Sequence, residues 1–220
     1  MSRLELGVLI SGRGSNLQAI LDAIARGELD AHVCLVLSNR PNAPGLERAR
    51  QAGVATTVLE HRTFPDRSEF DRAMVERLRQ AGAEWIVLAG FMRVLSRMFL
   101  EAFPQRVVNI HPALCPAFPG IDAQAQALAH GVRVTGCTVH LVDEGVDSGP
   151  IIAQAVVPVL DGDDRELLAA RLLVREHELL VAALRWIAEG RVRVEPAPAQ
   201  GGRPRVSVRG LVPVLGIGPG

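Results

Sequence analysis

Lysine is absent from the 220 residues, so every one of the 24 positive charges is an arginine. No side-chain amine is therefore available for Schiff-base chemistry. Cysteine is scarce as well: Cys34, Cys115 and Cys137 are the only three, an odd number without a Cys-x-x-Cys pair. This argues against a disulfide framework or a thiolate zinc site and fits a reduced, cytoplasmic setting. No His-x-x-x-His spacing occurs, so no metal is expected. Neither sign of charge is in excess, with 24 basic and 24 acidic residues. That removes the sequence-wide basicity that usually marks a nucleic-acid binder. No apolar run reaches the roughly 18 residues that span a bilayer. The first apolar stretch carries Glu5 and runs into a Gly-rich turn, which is not a signal-peptide pattern. Nucleic acid and membrane are both excluded as expected partners.

What is present reads as an ordinary globular chain, 48% hydrophobic and 22% charged, long enough for one sizeable core. Short Val/Ile/Leu-rich runs at 6–10, 33–37, 55–59, 85–89 and 107–110 read as buried strands. Amphipathic stretches at 16–26, 45–52, 67–81 and 96–102 read as the helices between them. The alternation predicts an α/β fold: a mostly parallel twisted sheet with helices on both faces, a Rossmann-like core. Such sheets bind ligands at the carboxyl ends of their strands. After Pro112 come a short helix at 122–130, strands at 134–142 and 151–157, and a long helix at 165–189 that stops at Gly190. Residues 1–190 are expected to form the catalytic domain. Residues 191–220 are expected to be a tail: two short alternating pieces, 191–195 and 205–209, in a loose hairpin, then a frayed end at 216–220.

Two features carry chemistry. The turn Ser11-Gly12-Arg13-Gly14-Ser15-Asn16 joins the first strand to the first helix, where backbone N–H groups and the helix dipole hold a phosphate. Leu17 stands where a dinucleotide fingerprint needs glycine, and the Gly-Lys-Ser/Thr of a nucleotide loop is missing, so a phosphomonoester suits it best. The bland alternative is a tight turn capped by Ser15 or Asn16. The second feature is Asn109-Ile110-His111-Pro112 at the end of a strand. Residues two apart project to the same side, which pairs an amide that can steady an oxyanion with an imidazole that moves protons near neutral pH. A structural histidine is the alternative, as is a turn-capping role for Asp147. His32, His61, His130, His140 and His177 read as surface or packing residues.

These motifs occur in one order with others: Gly12 to Gln18, Ser38-Asn39-Arg40, Gly45 to Ala49, Leu88 to Leu95, Asn109 to Pro112, and Asp147-Ser148-Gly149-Pro150-Ile151. The ordered set resembles the folate-dependent phosphoribosylglycinamide formyltransferases over roughly residues 5–190. The resemblance implies a soluble, metal-independent transferase of purine biosynthesis. Its substrates would be glycinamide ribonucleotide and 10-formyltetrahydrofolate, a formyl-donor cosubstrate, and the enzyme a monomer or homodimer. It implies Asn109, His111 and Asp147 as catalytic residues, with Asp147 orienting His111. Gly14, Ser15, Asn16 and Glu176 would bind the ribonucleotide. Arg67, Met92, Arg93, Val94, Leu95, Asn109 and the loop Asp143, Glu144, Gly145, Val146 and Asp147 would contact folate. The chain departs from the family at Cys115, Ala117 and Ile121-Asp122-Ala123-Gln124. The rival is another formyl-folate enzyme, above all a formyltetrahydrofolate hydrolase. A non-catalytic nucleotide-binding module is disfavoured, because it need not keep Asn109, His111 and Asp147 together.

Overall fold

In the computed structural model, which describes residues 3–197 and 202–210, strand and helix alternate from the start. The elements are β1 (Leu4–Ile10), α1 (Ser15–Ala25), β2 (Ala31–Ser38), α2 (Gly45–Gln51), β3 (Thr56–Val58), α3 (Arg67–Gln80), β4 (Trp85–Leu88), α4 (Arg97–Ala102) and β5 (Val107–His111). There follow α5 (Ala123–Ala129), β6 (Val134–Leu141), β7 (Ile151–Pro158), α6 (Arg165–Ala188), β8 (Val192–Glu195) and β9 (Arg205–Val208). Seven strands form one sheet in the order β3-β2-β1-β4-β5-β6-β7. The pairings from β1 to β5 are parallel, whereas β6 and β7 are antiparallel to their neighbours.

The sheet is covered on both faces because its strands are apolar on both. Leu6, Val8 and Ile10 of β1 pack with Leu17 and Ile20 of α1, Leu46 of α2 and Leu180 and Leu184 of α6. Leu9, Leu35, Leu37, Ile86 and Leu88 turn the other way, onto Phe70, Met74 and Leu78 of α3 and Phe99 of α4. A fully buried Leu or Phe contributes about 1.5–3 kcal/mol, so these two clusters hold the sheet rigid beneath its loops. Helix starts follow local chemistry: Asp66, Ser96 and Asp164 each accept a hydrogen bond from the backbone N–H three residues on, capping α3, α4 and α6.

The strands and helices read from the sequence lie where expected, to within a few residues. The reversal of β6, which leaves it antiparallel to both neighbours, was not legible, and neither was the 3₁₀ turn at His61–Thr63. In the tail, β8 and β9 pair antiparallel, with Val192 opposite Val208 and Glu195 opposite Arg205. The expected frayed end at 216–220 lies outside the described residues.

Candidate active site

The carboxyl end of β5 carries the chemistry, and strand alternation sets its direction. Val108 and Ile110 enter the core on the α1/α6 side; Asn109 and His111 between and after them project to the opposite side. The antiparallel partner β6 does the same. Val139 and Leu141 enter that core, and His140 stands directly across from Asn109. The loop after β6 then brings Asp147 back over the pair.

The four side chains form one network. Asn109 Nδ2 donates to Asp147 Oδ1 at 3.2 Å and lies 3.2 Å from His140 Nε2. His111 Nδ1 is 3.2 Å from Asp147 Oδ2. His140 Nδ1 is 2.9 Å from the Leu141 carbonyl, which assigns that nitrogen as the donor and leaves Nε2 to accept from Asn109. His111 Nε2 lies 2.8 Å from the carbonyl of Phe118. Both of its nitrogens therefore face acceptors. The Gly120 N–H donates to Asp147 Oδ2 at 2.8 Å.

Burial of the Asp147 carboxyl opposes its ionisation. The Gly120 N–H and the charge of His111 pull the other way, and the carboxyl is held below the usual carboxylate range. Thr138, facing His111 across the strands, fixes the following loop: its hydroxyl donates to Ala113 O at 2.6 Å and accepts from Cys115 N at 3.0 Å.

A cavity of about 460 Å³ opens over this network. Its wall includes Met92, Arg93, Val94 and Leu95 on one side, and Asp143, Gly145, Val146 and Asp147 on another. Asn109, His111 and His140 form its floor, and Arg13 of the Gly-rich turn reaches its rim. Arg93 stacks over the Phe70 ring, 5.3 Å from its centroid, which fixes the side chain beside the cavity. The loop is tied to itself through Asp143 Oδ1, which accepts from Ser148 Oγ at 2.7 Å and from Gly145 N at 3.1 Å.

Two residues expected to contact folate are not part of this wall. Arg67 is exposed in the first turn of α3, where it serves as a solvated start to the helix. Glu144 is 67% exposed and points to Arg97, 3.7 Å away. A further depression of about 600 Å³ runs between α1 and α6. It includes Ser15 and His177 but none of the network, so the smaller cavity is the one joined to the chemistry.

The Gly-rich turn leads into α1. Gly14 is the N-cap, left-handed at φ 71°, and makes no side-chain cap. The capping alternative for Ser15 or Asn16 is therefore not realised, and the first helical N–H groups keep their side-chain-free face. Asn16 instead sends Nδ2 to Glu176 Oε2 of α6 at 3.1 Å. Its Oδ1 is buried and, among the described residues, has no partner. The same is true of Arg93 Nε. Unpartnered buried polar atoms are uncommon in folded proteins, and these two flank the turn and the cavity. Burial pushes the Glu176 carboxyl up from its ordinary range, against the opposing pull of Asn16 and Arg13.

Asn109, His111 and Asp147, singled out in the sequence, lie together in the structure, and His140, expected at the surface or in packing, joins them. The available signal was the alternation at the end of β6, where Thr138 and His140 fall between the core-facing Cys137, Val139 and Leu141.

Residues 5–184 match the Formyl transferase family. Phosphoribosylglycinamide formyltransferase of Escherichia coli is 42% identical over 191 residues, 87% of this chain and 90% of that protein. The trifunctional purine biosynthetic protein adenosine-3 of Drosophila pseudoobscura is 49% identical over 194 residues, but the chain spans only 14% of its length. The crystal structure of glycinamide ribonucleotide transformylase 1 from Symbiobacterium toebii superposes with a TM-score of 0.88 at 51% identity, covering 93% of each chain.

Proposed function

The chain belongs to the formyl transferase family, and from that premise we propose that it moves the formyl group of 10-formyltetrahydrofolate to the amine of glycinamide ribonucleotide, in de novo purine (IMP) biosynthesis. The observation that carries this reading is the Asn109–His111–Asp147 network lying open to a cavity that Arg13 of the Gly-rich turn reaches. Acyl transfer needs an oxyanion donor and a proton carrier side by side, close to the acceptor.

In the proposed reaction the substrate amine attacks the formyl carbon. The carbonyl oxygen becomes an oxyanion and takes a hydrogen bond from Asn109 Nδ2. In the resting network that nitrogen serves Asp147 and His140. An oxyanion is a charged acceptor and outcompetes the neutral His140 nitrogen. The tetrahedral intermediate collapses with loss of folate N10, and the proton leaving the amine reaches N10 with help from His111. Asp147 orients the His111 ring and balances its charge. His140 positions Asn109 and Asp147.

Gly14, Ser15 and Asn16 are assigned to the ribonucleotide phosphate and its neighbourhood, with Glu176. The uncapped α1 N-terminus and the unpartnered Asn16 Oδ1 support that assignment. Met92, Arg93, Val94, Leu95 and Asn109 are assigned to folate with Asp143, Gly145, Val146 and Asp147, on the support of the cavity wall. Residues 1–190 are the proposed catalytic unit, and the β8–β9 pair is an appendage to it. No step needs a metal.

The test is turnover of 10-formyltetrahydrofolate by the purified protein, with no added metal or ATP, with and without glycinamide ribonucleotide. Deformylation that depends on the ribonucleotide is the expected result. Equal deformylation without it would identify a hydrolase instead.

A further inference from the structure

At the far end of the sheet a second cluster of chemistry-bearing side chains has no part in the proposed transfer. Glu5 of β1 pairs with His32 of β2 in the parallel register, Leu6 with Val33, and Gly7 with Leu35. Cys34 is the residue skipped, the extra position of a bulge. A bulge re-aims a side chain that regular pairing would send elsewhere. Here it puts the Cys34 thiol beside Glu5 and His32.

The three ligand atoms converge. Glu5 Oε2 is 2.7 Å from His32 Nδ1 and 3.1 Å from Cys34 Sγ, and Sγ is 3.8 Å from Nδ1. A tetrahedral ion with bonds of about 2.0–2.3 Å to oxygen, nitrogen and sulfur separates its ligands by roughly 3.3–3.6 Å, so the Glu5–His32 pair must open by about half an ångström and the other two pairs shift by less. The thiol proton already lies between sulfur and carboxylate. Burial and its bond to Glu5 push Cys34 up to about 12, so without a cation the group is an inert thiol. The carboxylate is pulled down, first by Cys34 and then by His32. Arg3 also faces Glu5, but its Nε is tied to the Ala31 carbonyl at 3.0 Å. His32 is half-exposed, with its side chain 53% accessible, so a fourth position opens to water.

We propose that Glu5, His32 and Cys34 form a binding site for a borderline-soft divalent cation of the zinc and cobalt kind, which clips β1 to β2. A sulfur, nitrogen and oxygen set suits such ions and disfavours magnesium and calcium. The absence of any Cys-x-x-Cys or His-x-x-x-His spacing does not bear on this site. Its ligands come from two strands, and only pairing joins them. The site lies roughly 20 Å from the Gly-rich turn, at about 3.3 Å per residue along β1, and so acts on stability and not on transfer.

Cobalt(II) titration of the metal-stripped full chain tests the proposal by absorbance. One equivalent is expected to give a thiolate-to-cobalt band in the near ultraviolet and visible bands of tetrahedral intensity. Cys34→Ser is expected to lose the ultraviolet band. His32→Ala is expected to weaken binding by at least roughly 10-fold, since loss of even an outer partner weakens a metal site by about 10–100-fold. Zinc should raise the Tm of the parent chain and not that of Cys34→Ser, with turnover unchanged in both. Circular dichroism of the stripped variants shows whether each is folded, and Glu5→Gln offers a second test if Cys34→Ser is not. No thiolate band in the parent chain, or a band that survives in Cys34→Ser, would overturn the proposal.

Discussion

At Asn109 both amide hydrogens have partners before any substrate arrives, one on Asp147 and one on His140. The amide is thereby aimed, and its proposed task is to exchange one partner for an oxyanion. Asn109→Ala is expected to lower kcat by about 100- to 1000-fold, the usual loss for one oxyanion donor, with KM for folate changed far less; steady-state kinetics decides this. Glu176 poses the opposite problem. Burial raises its carboxyl above the ordinary range, so the folded chain holds that proton more tightly than the unfolded chain does. Its stability contribution is complete below the unfolded pKa of about 4.3, and falls as pH climbs to the folded value. Glu176→Gln removes that loss while keeping an acceptor for Asn16. The variant should melt higher than the parent at neutral pH, with the gap closing near pH 4. KM for the ribonucleotide should rise, because the proposed binding charge is gone. A variant that melts no higher at neutral pH would show that Glu176 is better solvated than its burial indicates.

The Gly-rich turn works as an element because two backbones meet there. A Cβ on Gly14 would stand 2.6 Å from the Cα of Gly45 at the start of α2, and the residue sits at φ 71°. Gly27 shares the left-handed conformation but has open space around it, with nothing within 4 Å of an added Cβ. Gly27→Ala should therefore lose only the conformational term, about 1–2 kcal/mol. Gly14→Ala should lose more and also raise KM for the ribonucleotide above that for folate. Thermal melts of the two variants separate conformation from close approach. The turn was legible because glycines, a strand and a helix are adjacent in sequence. The strands were legible for a similar local reason: most are short runs dominated by Val, Ile and Leu, as two-sided burial demands. What escaped is what only pairing decides. Nothing local in 134–141 says that β6 runs backwards, so the placing of His140 opposite Asn109 could not be read. The contact of Asn16 with Glu176 spans 160 positions, and on residue chemistry alone Glu176 reads as a solvated helix charge.

For the molecule as a whole, the tail is where extent and function meet. Val206 and Val208 of β9, with Val192 and Val194 of β8, pack against the core on the α6 side, and β9 lies against β7. Between the strands, Arg203 Nη1 donates to the Ser148 carbonyl at 3.0 Å, at the base of the loop that walls the cavity. The hairpin thus touches both the end of the sheet and the proposed folate loop. Two effects should separate. Deleting residues 197–220 removes two half-buried valines, which predicts a loss of roughly 2–3 kcal/mol, and it uncovers β7, an edge open to pairing with other chains. Arg203→Ala leaves the valines in place and removes one hydrogen bond worth about 0.5–1.5 kcal/mol. Its KM for folate should rise by roughly 2- to 10-fold, with KM for the ribonucleotide nearly unchanged and Tm lower by only a few degrees. If both KM values move together, the tail acts through general stability and not through the loop; if neither moves, the loop keeps its position without Arg203.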